Sequence, residues 1–288
     1  MAILVGCLVL ALIILCIKIK LYKETAYYNV THIPYFSVMY DAGRYGEYKI
    51  YKELRGYEQN GARFLFNVYV PKENGGTTEI DIIMISHNGI FVFESKNYSG
   101  WIFGSERNKM WYQTLPTGRR KSHKESFYNP IIQNRSHISH LKKYIGTEMP
   151  MQSIIVFSDK CTLKNIDIIS DDIFVINKRD VNSVIWSFGG YSVDEVLSEQ
   201  DIDEIYNLLY PCSQVDEYTK MQHIQNINDL NENFENYNIP IEHTEKNANF
   251  CPICGGKLLL RTAKKGTRVG TKFYGCENYP KCKYTENA

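Results

Sequence analysis

A chain of 288 residues with 44% hydrophobic content has material for one sizeable core and for attachments beyond it, so a minimal single-motif peptide is excluded. A formal net charge of +1 excludes a uniformly basic protein, but the charge is partitioned: from Ala248 onward eight Lys or Arg face two acids, whereas the remainder carries 25 against 30. A small basic module is therefore attached to an acidic body.

In chain order, Ala2 to Ile17 is an uninterrupted apolar run followed at once by Lys18, Lys20 and Lys23. The run is at the short limit for a membrane-spanning helix, and snorkelling lysines extend it through Leu21 and Tyr22. No basic stretch precedes it and no small-residue cleavage signature follows, which favours an uncleaved anchor over a removable signal peptide. With positive charge on its C-terminal flank, everything after Lys18 is expected on the cytoplasmic side.

The segment "GRYGEYKIYKEL" is amphipathic and predicts a helix beginning near Gly43, with Tyr48, Tyr51 and Leu54 toward a core and Glu47 near its start. Next, Glu79 to Ile85 and Ile90 to Lys96 are dominated by β-branched and aromatic residues around Ser86-His87-Asn88-Gly89, which predicts an antiparallel hairpin. Alternation along the second strand sends Glu94 and Lys96 to one side and Phe93 and Ser95 to the other. Charges inside so apolar a hairpin require pairing or a metal. Magnesium takes one or two carboxylates with water and phosphate, which suits Asp81, Glu94 and the carbonyl of Ser95. Lys96 would then hold the attacking water or stabilise charge on the phosphorus. The bland alternative is a Glu94–Lys96 surface pair on a solvated strand.

Trp101, Trp111, Tyr98, Phe103 and Tyr112 flank an expected turn at Ser105–Asn108, where core packing is the first expectation and base stacking the second. Asn129 and Pro130 open a second helix as N-cap and first helical residue. On it, Gln133 and Asn134 face solvent or a site, and His137 and His140 share a face, with solvated or core histidines as the default. Further on, "SIIVFS" and "DDIFVIN" predict strands, and Arg179–Phe188 and Val193–Tyr210 predict helices. From Pro211 to Phe250 the pattern thins into a flexible or partly helical connection.

The last module pairs Cys251 with Cys254 and Cys276 with Cys282, a spacing that points to tetrahedral Zn²⁺. About 40 residues cannot bury enough apolar surface to fold alone, and a metal cross-link supplies what is missing. Two disulfides are the alternative, and they require an oxidising compartment. Lys257, Arg261, Lys264, Lys265, Arg268 and Lys272 precede Phe273 and Tyr274, and basic groups interleaved with aromatics suit single-stranded nucleic acid. The bland reading is that the lysines keep a tiny domain soluble.

The stretches "GRYGEYKIYKEL", "GGTTEIDIIMISHNGIFVFESKNYSGWIFGSERNKMW" and "FYNPIIQNRSHISHL" resemble, in that order, the nuclease-related domain (NERD) family, a branch of the PD-(D/E)xK phosphodiesterases. The resemblance implies a three-layer α/β core with a mixed central sheet. It matches Glu47 to the acid of the first helix, Asp81 to the metal-binding aspartate, Glu94 and Lys96 to the E-x-K pair, and Gln133 to the polar residue of the following helix. The tail "CPICGGKLLLRTAKKGTRVGTKFYGCENYPKCKYTE" resembles the zinc ribbon of bacterial type IA topoisomerases.

The expected organisation is an anchor at 1–22, a nuclease-like domain at 38–210, a connection at 211–247 and a ribbon at 248–288. The expected function is Mg²⁺- or Mn²⁺-dependent cleavage of DNA at the membrane, with the ribbon holding the strand. The alternatives are a non-catalytic nucleic-acid-binding or scaffold protein on the same fold, or action on RNA or another phosphodiester.

Overall fold

The computed structural model describes residues 1–73, 75–118, 121–147, 149–189, 196–236, 257–263, 270–281 and 283–287. They fall into two compact units, one of residues 1–97, 130–159 and 170–226, the other of residues 98–129, 160–169 and 227–288.

In the first unit, helix α1 (Ala2–Lys23) carries the apolar run. Thr25 caps the short α2 (Ala26–Thr31) by accepting from the Tyr28 N–H, and α3 (Tyr35–Tyr40) follows. Asp41 caps α4 (Ala42–Leu54) by accepting from the Arg44 N–H at 2.9 Å. Gly46, Ile50, Tyr51 and Leu54 form the buried stripe of α4, and Tyr48 is partly buried against the same core. Tyr22, at the end of α1, is only 1% exposed. Its ring lies 5.3–5.5 Å from those of Tyr28, Tyr35 and Tyr48, and its hydroxyl donates to the Ile33 carbonyl at 2.7 Å. The last turn of α1 is thus built into the aromatic core of the unit.

The main sheet comprises β1 (Arg63–Pro71), β2 (Thr77–Ser86), β3 (Gly89–Lys96), β7 (Met151–Phe157) and β9 (Ile173–Asn177), ordered β1-β2-β3-β7-β9. The expected hairpin is present: β2 and β3 pair antiparallel from Ile82↔Phe93 to Ser86↔Gly89, and Gly89 adopts φ 115°, which glycine tolerates best. β3, β7 and β9 pair parallel, so the sheet is mixed. Helix α5 (Pro130–Ile145) packs on β1, β2, β3 and β7, while α4 packs on β3. Helix α6 (Val181–Gly189) forms where a helix was expected from Arg179. Helix α7 (Glu199–Ser213) starts at a Ser198–Asp201 capping box, later than the expected Val193, and runs on through Pro211. Helix α8 (Glu217–Asn236) occupies part of the stretch expected as a connection, and residues 237–247 lie outside the described residues.

In the second unit, β4 (Gly100–Ser105), β5 (Met110–Gly118), β6 (Lys121–Tyr128) and β8 (Cys161–Asp167) form a sheet of order β6-β5-β4-β8; β4 and β5 are the antiparallel hairpin about the turn expected at Ser105–Asn108, whereas β6 and β8 were not anticipated. Its aromatics mostly pack, as first expected: Trp111 and Phe103 are buried, and the Trp111 indole donates to the Ser105 carbonyl at 3.0 Å. A Cβ placed on Gly104 would lie 2.1 Å from Trp111 Cδ2, so the indole occupies the space a side chain would need. Gly104→Ala is expected to destabilise the protein by about 1–3 kcal/mol through this overpacking, measurable by urea unfolding. The C-terminal strands β10 (Leu258–Thr262), β11 (Lys272–Cys276) and β12 (Thr285–Asn287) form a separate antiparallel sheet.

Candidate active site and nucleic-acid interface

Strand alternation delivers Glu94 and Lys96 to one side of β3, and Lys96 Nζ donates to Glu94 Oε1 at 2.6 Å. Ser95 points the other way, toward Gly46 of α4, where an added Cβ would meet Ser95 Oγ at 3.1 Å. The antiparallel register ends at Ile82↔Phe93, so Asp81 falls beside the stretch of β3 that carries Glu94 and Ser95. There its Oδ2 accepts the Ser95 N–H at 2.7 Å. The backbone amide thereby holds the Asp81 carboxylate next to the E-x-K pair.

Helix α5 completes this arrangement. Gln133 Oε1 accepts from Lys96 Nζ at 3.1 Å, so the ammonium is held between Glu94 and an amide oxygen. Asn134 donates to the Val92 carbonyl and to Ser153 Oγ, each at 2.9 Å, and so fixes the helix over β3 and β7. His137, buried one turn further on, contacts Thr78 Oγ1 through Nδ1 at 2.6 Å and places Nε2 3.3 Å from Glu94 Oε2. That approach is within ion-pair distance but outside hydrogen-bond geometry. Glu94 Oε2, His137 Nε2 and Asn134 Oδ1 are buried side-chain atoms that have no hydrogen-bond partner among the described residues.

The carboxylates respond to burial and to one another. Burial, followed by the charges of Glu94 and Glu47, raises the Asp81 pKa well above the usual aspartate value. Glu47, half-buried on α4 and accepting from the Tyr27 hydroxyl at 3.3 Å, is pushed up to about 8 by burial and next by Glu79. For Glu94, burial acts upward, but Lys96 and then His137 outweigh it and hold the carboxyl below its usual value. Two carboxyls favouring protonation beside one held ionised describe a site with surplus negative potential.

All five expected catalytic residues lie in the first unit. Asp81, Glu94, Lys96 and Gln133 are linked by the contacts above, whereas Glu47 interacts with Asp81 electrostatically. His137 and Thr78 were not picked out as site residues; the signal lay in the three- and four-residue steps from Gln133 and Asn134, which bring His137 over β3 with them. His140 is half-buried, and its pKa is lowered by burial and then by Lys72 and Lys143.

The residues fit a hard divalent ion that keeps several waters. Asp81 and Glu94 would supply oxygen ligands, Glu94 Oε2 has no hydrogen-bond partner among the described residues, and the Asp81 pKa, raised first by burial and then by the charges of Glu94 and Glu47, includes a repulsion that a cation would relieve. Among the described residues no group of three or more His, Cys, Asp or Glu converges on an ion, so an enclosing all-protein cage is not what these side chains form.

In the ribbon, Leu258, Tyr274 and Cys276 pack together on one face, with Tyr284 against them. The register pairs Leu259↔Gly275 and Arg261↔Phe273, so Leu259, Arg261 and Phe273 share the opposite face. Arg261 lies over Gly275, donates to the Cys276 carbonyl at 3.3 Å, and sits beside Phe273. Of the two expected stacking residues, Phe273 is thus on the face opposite the small core, beside Arg261, and Tyr274 is drawn to the core. Cys276 Sγ accepts the Asn278 N–H at 3.4 Å. Cys251, Cys254, Cys282, Lys264, Lys265 and Arg268 lie outside the described residues.

A mixed sheet carrying an E-x-K pair and an amide-held aspartate defines a nuclease-like class, and the comparisons agree. The nuclease-related domain family matches residues 42–158, and the topoisomerase DNA binding C4 zinc finger matches residues 248–288. An uncharacterised protein of Bacillus anthracis is 32% identical over 194 residues, covering 67% of this chain and 85% of that protein. The chain belongs to the nuclease-related domain family and carries a topoisomerase-type zinc ribbon at its C-terminal end. The ribbon segment is similar to DNA topoisomerase 1 of Methanocaldococcus jannaschii, 67% identical over 36 residues, 12% of this chain and 4% of that protein. It is also similar to DNA topoisomerase 1 of Helicobacter pylori, 53% identical over 47 residues, 15% of this chain and 6% of that protein. The chain thus spans only a small fraction of these topoisomerases. No solved structure matches.

Proposed function

We propose that the protein is a metal-dependent nuclease that hydrolyses DNA phosphodiester bonds, with a PD-(D/E)xK-like three-layer core at residues 38–210. The carrying observation is the Lys96–Glu94 contact at 2.6 Å beside an Asp81 carboxylate held by the Ser95 amide. Asp81 and Glu94, with the Ser95 carbonyl, would hold Mg²⁺ or Mn²⁺. When bound, such an ion polarises the phosphoryl oxygen and acidifies a water. Lys96 orients the attacking water and offsets charge as the new P–O bond forms and the ester P–O bond breaks. Gln133 and Glu94 fix the Lys96 ammonium, and His137, tied to Thr78, positions Glu94.

Among the described residues one helix, at the N-terminus, is long and apolar enough to cross a membrane, with mean hydropathy 2.7 over an 18-residue window of Ile3–Lys23 that has no part buried inside the protein. A signal sequence has the same length and position. Within this proposal residues 1–22 are the anchor, the lysines after Ile17 keep the rest in the cytoplasm, 211–247 connect and 248–288 bind Zn²⁺ through Cys251, Cys254, Cys276 and Cys282. Arg261, Lys264, Lys265, Arg268, Lys272, Phe273 and Tyr274 are the proposed nucleic-acid contacts, with Phe273 as the stacking platform and Tyr274 acting from the core face. Phe273→Ala is expected to weaken single-stranded DNA binding by about tenfold, read by fluorescence anisotropy at fixed salt.

A second reading, a non-catalytic membrane-tethered nucleic-acid-binding scaffold, is favoured by one feature: Glu94 is 2% exposed and both its oxygens face cationic or imidazole groups. A cleavage assay decides between them. Purified protein is incubated with single- and double-stranded DNA and RNA, with Mg²⁺ or without, beside the Glu94→Ala/Lys96→Ala variant. Metal-dependent cutting lost in the variant supports the nuclease; a folded, DNA-binding, zinc-loaded protein that never cuts selects the scaffold.

A further inference from the structure

Where α1 meets α4, an open groove is lined by Lys18 and Leu21 from the helix end, by Lys49 and Lys52 from α4 and by Arg55 just after it, with tyrosines as its floor. Four cations and no carboxylate line it. Lys49 is engaged over the Tyr45 ring at 4.3 Å, while Lys18, Lys52 and Arg55 are solvent-exposed. Glu58, whose carboxylate Arg55 helps to stabilise, accepts from the Tyr51 hydroxyl and does not line the groove.

Its depth relative to a bilayer follows from the chain. Ala2–Ile17 spans about 24 Å as a helix, somewhat less than a hydrocarbon core of about 30 Å, so the Lys18 ammonium reaches the phosphate headgroups by snorkelling. Buried Tyr22 ties that last turn of α1 into the domain, so the groove walls from α1 and α4 belong to one unit. Nearby, Phe36 and Tyr40 of α3 are 45% and 86% exposed and stack on each other at 6.3 Å, a pair suited to the membrane–water interface.

We infer that this groove binds the phosphate headgroup of an anionic phospholipid, with Lys18, Lys52 and Arg55 on the phosphate and Leu21 against the acyl chain. The inference rests on the membrane-anchor reading of α1. Positive charge in a lining that includes no carboxylate, at headgroup height and beside exposed apolar and aromatic side chains, complements an acidic lipid in both its parts. The site would hold the domain at a fixed attitude to the bilayer rather than on a loose tether.

The test uses the full chain in membranes and in detergent. Alkaline carbonate should leave the protein in the membrane pellet; release overturns the anchor reading and the lipid site with it. Native mass spectrometry of the detergent-solubilised protein with dioctanoyl phosphatidylglycerol should show saturable binding, absent with the phosphatidylcholine equivalent and not displaced by inorganic phosphate. Lys52→Gln/Arg55→Gln, which leaves the lysines flanking the anchor intact, should weaken that binding about 30-fold. A carbonate-resistant protein with equal binding of the two lipids, or with binding unchanged in the variant, overturns the lipid site alone. A single-stranded oligonucleotide whose binding is lost in the variant while lipid binding is kept would assign the groove to nucleic acid instead.

Discussion

Lys96→Ala is expected to lower Mg²⁺-dependent DNA cleavage by about three orders of magnitude, the scale of removing a positioned group that stabilises transition-state charge. The same substitution carries a stability cost, because Glu94 is buried and loses the partner 2.6 Å away. Breaking a buried pair from one side costs about 3–5 kcal/mol, although residual contact with His137 lessens it here. Glu94→Gln separates the two effects. It removes the buried charge and the proposed metal ligand together, while Lys96, whose side chain is 17% exposed, keeps a route to solvent for its ammonium. Cleavage should fall as far as in Lys96→Ala, with a smaller loss in urea midpoint. Cleavage retained at the wild-type level by folded Lys96→Ala would remove Lys96 from the mechanism.

The site was legible largely because its parts are local. Glu94 and Lys96 are two residues apart on a strand marked by alternation, and Asp81 lies across a hairpin that Ser86-His87-Asn88-Gly89 announces. Helix α5 was equally plain at its start, where Asn129 precedes Pro130. What escaped was either polar or distant. β6, "KSHKESFY", has too little apolar content to mark a strand and is defined by its pairing with β5. β8, "CTLKNID", exposes most of its side chains and is held by parallel pairing with β4, whose partner residues, from Gly100↔Cys161 to Ser105↔Asp167, lie far earlier in the chain. No local pattern encodes such a partner. His137 fell between these cases: its helix was readable, but the approach of its Nε2 to Glu94 depends on α5 packing across β3. The charge asymmetry of the ribbon was visible by counting, whereas the division of Phe273 and Tyr274 between two faces needed the β10–β11 register.

The carboxyl cluster leads to a second large effect, in the pH and metal dependence of stability. Glu47 has its pKa raised to about 8 by burial and then by Glu79, and Asp81 is raised by burial, Glu94 and Glu47. A carboxyl whose pKa is higher folded than unfolded binds its proton more tightly in the folded chain. Its stabilising contribution is complete below the unfolded value, near 4.5 for Glu47, and is lost as pH rises through about 8. Glu94 has the opposite sign: because its pKa is lowered, its stabilising contribution is present above the usual glutamate value and is lost only as pH falls through the lowered pKa, below this window. Without divalent metal, the melting temperature should therefore decline from pH 5 to pH 8 more steeply in wild type than in Glu47→Gln. Mg²⁺ at about one hundred times its Kd should add about 2.7 kcal/mol, or roughly 5–10 °C, at pH 8. Adding Mg²⁺ is the cleaner manipulation, because EDTA would also strip zinc from the ribbon. The gain should disappear in Asp81→Asn/Glu94→Gln, which keeps the packing volume and removes the charges that make a cation welcome. An equal Mg²⁺ shift in that variant would mean that the ion binds elsewhere.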